Sequence, residues 1–125
     1  MNHRPTLVFV FLAAILLANS TSTAQKAITV RGEIVDVQSY VKDGLKPSSP
    51  AKKEAALESL KHGSMLGILE QKTGKLYLLS SAASDSAFTA MIKPYFGLKS
   101  FVKGPCYNRS GARLILVEDV GKLTK

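Results

Sequence analysis

Cysteine is almost missing from this chain of 125 residues, and tryptophan is missing altogether. A single thiol, Cys106, excludes an intramolecular disulfide, so the fold must be held by packing alone. Cys106 lies between apolar neighbours in "SFVKGPCYN" and reads as a small buried side chain; a disulfide between two copies or a reactive thiol are the alternatives. Histidine is nearly as scarce. His3 stands at the extreme start, leaving only His62 in the rest of the chain, and one imidazole cannot build the usual zinc site. Acids are few: 9 against 17 bases, a formal charge of +8. A basic balance suits an anionic polymer, a lipid surface or an acidic partner. The bases are scattered, with Lys52 and Lys53 the one adjacent pair, so charge alone draws no nucleic-acid track. Neither a G-x-S-x-G nucleophile motif nor a phosphate-binding loop nor a dinucleotide motif occurs.

Long apolar runs are also wanting, except at the start. "MNHR" precedes "PTLVFVFLAAILLA", and "NSTSTAQ" follows with Ser22 and Ala24 placed for cleavage after Ala24. The run is short for a membrane span and has the layout of a secretory signal. Residues 1–24 are therefore expected to be a signal peptide and 25–125 a single domain without a transmembrane segment, exported to a periplasmic or extracellular location. No cysteine follows the run, which argues against a bacterial lipoprotein anchor.

The remainder alternates between strand and helix signals. "AITVRGEIVDVQSYV", Ala27 to Val41, is rich in β-branched residues and reads as one long strand. Its apolar parity changes between Gly32 and Val35, as a glycine bend or bulge would produce. "KDGLKPSSP" reads as a loop, with Ser49 capping a surface helix over "PAKKEAALESLKH" that Gly63 ends. Leu66 to Glu70 and Lys75 to Ser80 form a hairpin around "KTG". After a helix entry at Ser84 or Asp85, Phe88, Met91, Ile92, Tyr95 and Phe96 fall on one helical face. Pro94 should stop or kink that helix near Ile92. "SFVKGPCY" and "ARLILVEDV" then flank "NRSG", with Asn108 and Gly111 as turn residues.

Five strands with a helix between the third and fourth is the order of an OB fold, a small partly open β-barrel. The expected class is mainly β, with an extra helix between strands 1 and 2; a generic α+β sandwich is the rival. The chain also resembles a group of small exported bacterial OB-fold proteins, mostly uncharacterised. Their first strand ends in a pattern like V-x-G-x-V-V-D-x-x-C-Y, matched here by Val30, Gly32, Ile34, Val35, Asp36, Ser39 and Tyr40. A G-x-x-x-G-x-L strand matches Gly63, Gly67 and Leu69. By this resemblance, cysteine positions fall at Ser39, Ala55 and Ser59, all lost in this chain. Serine is a poor ligand for soft metals, so any thiol chemistry of such relatives is absent here, and Ser39 and Ser59 fill the thiol volume.

Candidate sites are modest. Glu33 and Asp36 are three apart, which in a regular strand puts them on opposite faces. Salt bridging or turn capping therefore outweighs an acid–base pair. Glu58 and His62 are spaced i, i+4 on a helix, fit for a surface pair. Tyr40, Tyr77, Phe101 and Tyr107, with Lys75, Lys99, Lys103, Arg109 and Arg113, supply the aromatics and bases that an OB-fold face uses for single strands. The reading is an exported, non-enzymatic binding or interaction module, with ligand-binding candidates Asp36, Tyr40, Tyr77, Lys103, Tyr107, Arg109 and Arg113. No catalytic residue, metal site or cofactor is assigned. The partner is an unidentified protein or anionic ligand, and the domain is a monomer or weak homodimer. Two alternatives are binding of single-stranded nucleic acid or another anionic polymer, and a vestigial metal- or cofactor-related accessory role.

Overall fold

A computed structural model describes residues 25–47, 50–82 and 85–124. The signal expected over 1–24 and the caps expected at Ser49 and Ser84 lie outside the described residues. Strand β1 (Ala27–Asp36) is followed by helices α1 (Val37–Asp43) and α2 (Pro50–Lys61). The hairpin β2 (Leu66–Glu70) and β3 (Leu76–Ser80) comes next, then α3 (Asp85–Ile92), a 3₁₀ turn over Lys93–Tyr95, and β4 (Lys99–Arg109), β5 (Ala112–Leu116) and β6 (Asp119–Lys122).

The strands join in the order β1-β2-β3-β5-β4, and β4 returns to β1, so five strands close a barrel. All of these pairings are antiparallel except the parallel one between β3 and β5. This is the OB-fold-like architecture that the element order predicts. Closure turns on β1. It pairs with β4 over Ala27–Glu33 and with β2 over Gly32–Asp36, changing partner where the sequence places its bend. A Cβ at Gly32 would lie 1.9 Å from the carbonyl oxygen of Leu69, so the backbones meet only because that position is glycine.

The expected long first strand is wrong in its second half. Val37 and Val41 lie on α1, and Val41 is 69% exposed. A local cap overrides the β-branched composition. Asp36 is N-cap and accepts from the Ser39 amide at 3.0 Å, while Gly44, at φ 67°, closes the helix by donating to Ser39 and Tyr40 carbonyls. The expected last strand is also split. Cys106 pairs with Ile115 but Lys103 with Asp119, an offset of one residue that marks a bulge between β5 and β6. There Gly104 lets the Leu116 carbonyl approach, and the Val117 amide leaves β4 to donate to Ser80 at 2.7 Å. Asn108 is a strand residue and not a turn residue. The turn is Ser110–Gly111, both at positive φ (53° and 81°), which fits the right-handed twist of a two-residue hairpin.

The interior is aliphatic. Val30, Ile34, Ile68, Leu79, Val102 and Ile115 line it, and α3 with its 3₁₀ turn contributes Phe88, Ile92 and Phe96. The helical face predicted to plug the core does so, with Met91 left exposed at its margin. Pro94 lacks an amide hydrogen and sits in the 3₁₀ turn that replaces the helix after Ile92. Helix α2 lies on the surface, burying Ala56 and resting Leu57 and Leu60 on the core. Among the described residues, no helix is long and apolar enough to cross a membrane.

Candidate functional site on the outer barrel surface

The barrel holds one set of apolar side chains inside and carries a second set outside. Strand residues alternate between faces, and pairing fixes which residues stand together. Val35 lies beside Gly67, Gly67 beside Leu78, Leu78 beside Leu114, and Leu114 beside Tyr107. This outer row crosses β1, β2, β3, β5 and β4 without a charged residue. A second row runs Glu33, Leu69 and Leu76, and Leu116 continues the patch beside Ser80. Leu76, Leu78, Leu114 and Leu116 are half-buried and belong to no part of the interior cluster. Tyr107, at the open end of the row, is 43% exposed. At the other end Val37 of α1 lies over Gly67, where an added Cβ would come within 2.9 Å of its side chain. Helix α1 therefore roofs one margin of the face and leaves the β3–β5–β4 portion open.

The seven candidate residues from the sequence fall in separate places. Asp36 is 1% exposed and lies under the start of α1. Its carboxylate accepts from the Ser39 amide and hydroxyl and from Ser64, with a further bond from Ser59. Burial pushes its pKa up, but these hydrogen bonds prevail and hold it below the ordinary value. Ser39 and Ser59, two positions where the resemblance implies cysteine, thus converge on one acid, while Ala55 is exposed. Tyr40 sits half-buried on α1. Tyr77 and Arg113 come together: the guanidinium stands 5.8 Å from the ring centre, beside half-buried Cys106. Burial, aided by the charge of Glu70, raises the Tyr77 phenol, and burial also raises the Cys106 thiol against the pull of Arg113. Lys103, Tyr107 and Arg109 share the outer parity of β4 and are exposed.

Glu33 had only a minor place in the sequence reading, and its surroundings are unusual. Its Oε1 is buried without a hydrogen-bond partner. Desolvation raises its pKa, although Lys46 and Lys52 oppose the shift. It lines a cavity of about 260 Å³ with Lys46, Leu69, Glu70 and Lys99. Glu58 and His62 form the expected surface pair at 3.4 Å, and Lys61 joins Glu58 at 3.2 Å. Among the described residues, no group of three or more His, Cys, Asp or Glu side chains is placed to share a metal ion.

The sequence carries a signal for the outer row. Leu114 and Leu116 alternate with Ile115 and Val117, and Leu76 and Leu78 with Tyr77 and Leu79. Two apolar parities in successive strands mean two covered faces, and only one of them can be the barrel interior.

The fold defines a small closed barrel of OB-fold-like architecture. No family model matches the chain, and no match is found among curated proteins or solved structures.

Proposed function

We propose that this protein is an exported, non-enzymatic interaction module that docks a polypeptide partner on the outer face of β3, β5 and the adjoining part of β4. The single observation that carries this reading is the uncharged row from Val35 through Gly67, Leu78 and Leu114 to Tyr107. Half-exposed leucines outside a filled core stabilise the barrel far less than the same side chains inside it, whereas a contiguous apolar patch is what a docking surface needs.

The chemistry of the face selects the occupant. It is aliphatic with one exposed ring, which suits apolar side chains better than a succession of stacked bases. Arg109 follows Tyr107 on the outer side of β4, and the whole chain is strongly basic. A segment with alternating apolar residues and flanking acids complements both features, and like charge disfavours a second copy. The leader-like run over 5–18 supports export. A non-enzymatic role is supported by the state of the reactive groups: Asp36 is committed to hydroxyls, Cys106 has a raised pKa, and His62 pairs with Glu58 on the surface.

Panning the purified domain against a random peptide library tests this reading. Enriched peptides should alternate apolar residues beside Asp or Glu, and should lose at least tenfold in affinity for a Leu114→Ser domain. Peptides that bind Leu114→Ser as tightly as the parent, or no enrichment at all, would overturn it.

A further inference from the structure

A second surface lies elsewhere on the barrel and has the opposite character. We propose that the surface crossing β1, from β4 and β6 on one side to the β2–β3 turn on the other, binds a chain of acidic polysaccharide. One cavity of about 560 Å³ is lined by Thr29, Arg31, Phe101, Lys122, Leu123 and Thr124. Another, of about 530 Å³, is lined by Thr29, Arg31, Glu70, Gln71 and Lys72. They share Thr29 and Arg31, so the two hollows adjoin across the outside of β1, with these side chains between them, and make up a shallow trough in two parts. Arg31 lies beside Phe101 and Phe101 beside Gly121. The ring rests over Gly121, where an added Cβ would come within 2.5 Å of it. Lys103 borders the trough beside Thr29, with Asp119 on its far side.

Charge and hydrogen-bonding capacity name the ligand class. Arg31, Lys72 and Lys122 line the trough against a single acid, Glu70, whose carboxylate accepts from the Thr73 hydroxyl. Three cations spaced along a trough attract a chain with repeated negative groups. Thr29, Gln71 and Thr124 offer neutral donors and acceptors between them. A single-stranded nucleic acid would call for several rings to take successive bases, and the trough has one. One ring among hydroxyls and cations fits a sugar polymer, which presents one apolar ring face among many hydroxyls and carries carboxylates or sulfates at intervals.

This site is separate from the apolar face, and its test does not involve that face. Fluorescent heparin and oligogalacturonate fragments, a 20-nucleotide oligo-dT and neutral dextran would be titrated against the full folded domain at about 150 mM salt, where unspecific surface attraction is largely screened. One variant carries Arg31→Ser, Lys72→Ser and Lys122→Ser. A charge-matched variant carries Lys42→Ser, Lys53→Ser and Lys93→Ser, and melting curves confirm that both fold. At least one acidic polysaccharide should bind at least tenfold more tightly than oligo-dT, and dextran should not bind. The groove variant should lose at least tenfold and the matched variant less than twofold, while Phe101→Leu should weaken binding about threefold. Equal losses in the two triple variants would reduce the effect to net charge and overturn the site. Oligo-dT binding as tight as the polysaccharides would overturn the ligand class, and failure of both acidic polysaccharides to bind would overturn the proposal.

Discussion

The hydroxyl of Ser64 donates to the carboxylate of Asp36, and this contact ties the last residue of β1 to the approach to β2. The amide of Val37 reinforces it by donating to the Met65 carbonyl at 2.8 Å. Everything between, including α1 and α2, is an excursion pinned at its base. Asp36→Ala should remove the cap of α1 and strand the serine hydroxyls, costing about 2 kcal/mol. In a domain of this size that is a drop of roughly 10 °C in melting temperature. Asp36→Asn keeps a capping oxygen and should cost about 1 kcal/mol.

The same carboxylate fixes one pH dependence. Its pKa is lower when folded than its ordinary value of 3.8. Its contribution is therefore complete above that value and fades as pH falls through the lower, folded one. Urea melts of the parent should show this loss between pH 4 and lower values (about 4 being the ordinary carboxylate range), and Asp36→Asn should show less of it.

Glu33 works in the other direction. Its folded pKa lies above the ordinary 4.5, so stability falls as pH rises from that value through the folded one. Glu33→Gln removes the charge that burial penalises and gives the buried position a neutral amide. The expected result at pH 7 is a gain of about 0.5–1 kcal/mol by urea denaturation, shrinking below pH 5 (the ordinary glutamate range lying at about 4.3). A loss at pH 7 would mean that the lysines around it outweigh desolvation.

Two glycines should respond very differently to the same change. Gly32→Ala forces a methyl to within 1.9 Å of the Leu69 carbonyl oxygen and should destabilise the barrel by more than about 3 kcal/mol. Gly44 has φ 67° with nothing near its missing Cβ, so Gly44→Ala should cost only about 1 kcal/mol of backbone strain. Thermal melts of the two proteins separate steric exclusion from conformational preference.

The inside and outside of β5 can be told apart by polar substitution. Leu114→Ser and Leu78→Ser remove half-buried outer groups and should cost about 1 kcal/mol each. Ile115→Ser, one residue along and fully buried, should cost about 4 kcal/mol or more, because it leaves a cavity and buries a hydroxyl.

Much of the fold was legible in the chain. The hairpin at Gly74, the end of α2 at Gly63, the stop at Pro94 and the plugging face through Phe88, Ile92 and Phe96 follow from residues whose backbone or periodicity leaves little choice. The helix at Val37–Asp43 runs against its valine composition, which points to strand, because the deciding interactions are local caps: Asp36 accepting from Ser39 at the start and Gly44 at the end. The split between β5 and β6 depends on the approach of Gly104 and Leu116, which are distant in sequence. The outer face shows in the sequence only as a second apolar parity in β3 and β5, because which parity faces inward is set by barrel closure and not by either strand alone.

The central claim, that the open part of the outer row from Leu78 through Leu114 to Tyr107 is a docking face, is tested most directly by backbone amide chemical-shift mapping of the labelled domain with a library-selected peptide. The account predicts shifts concentrated on Leu76, Leu78, Leu114 and Tyr107, with Val30 and Val102 in the interior and Thr29 in the polar groove little affected. Shifts concentrated in that groove or around Asp36, with the outer row unmoved, would contradict it.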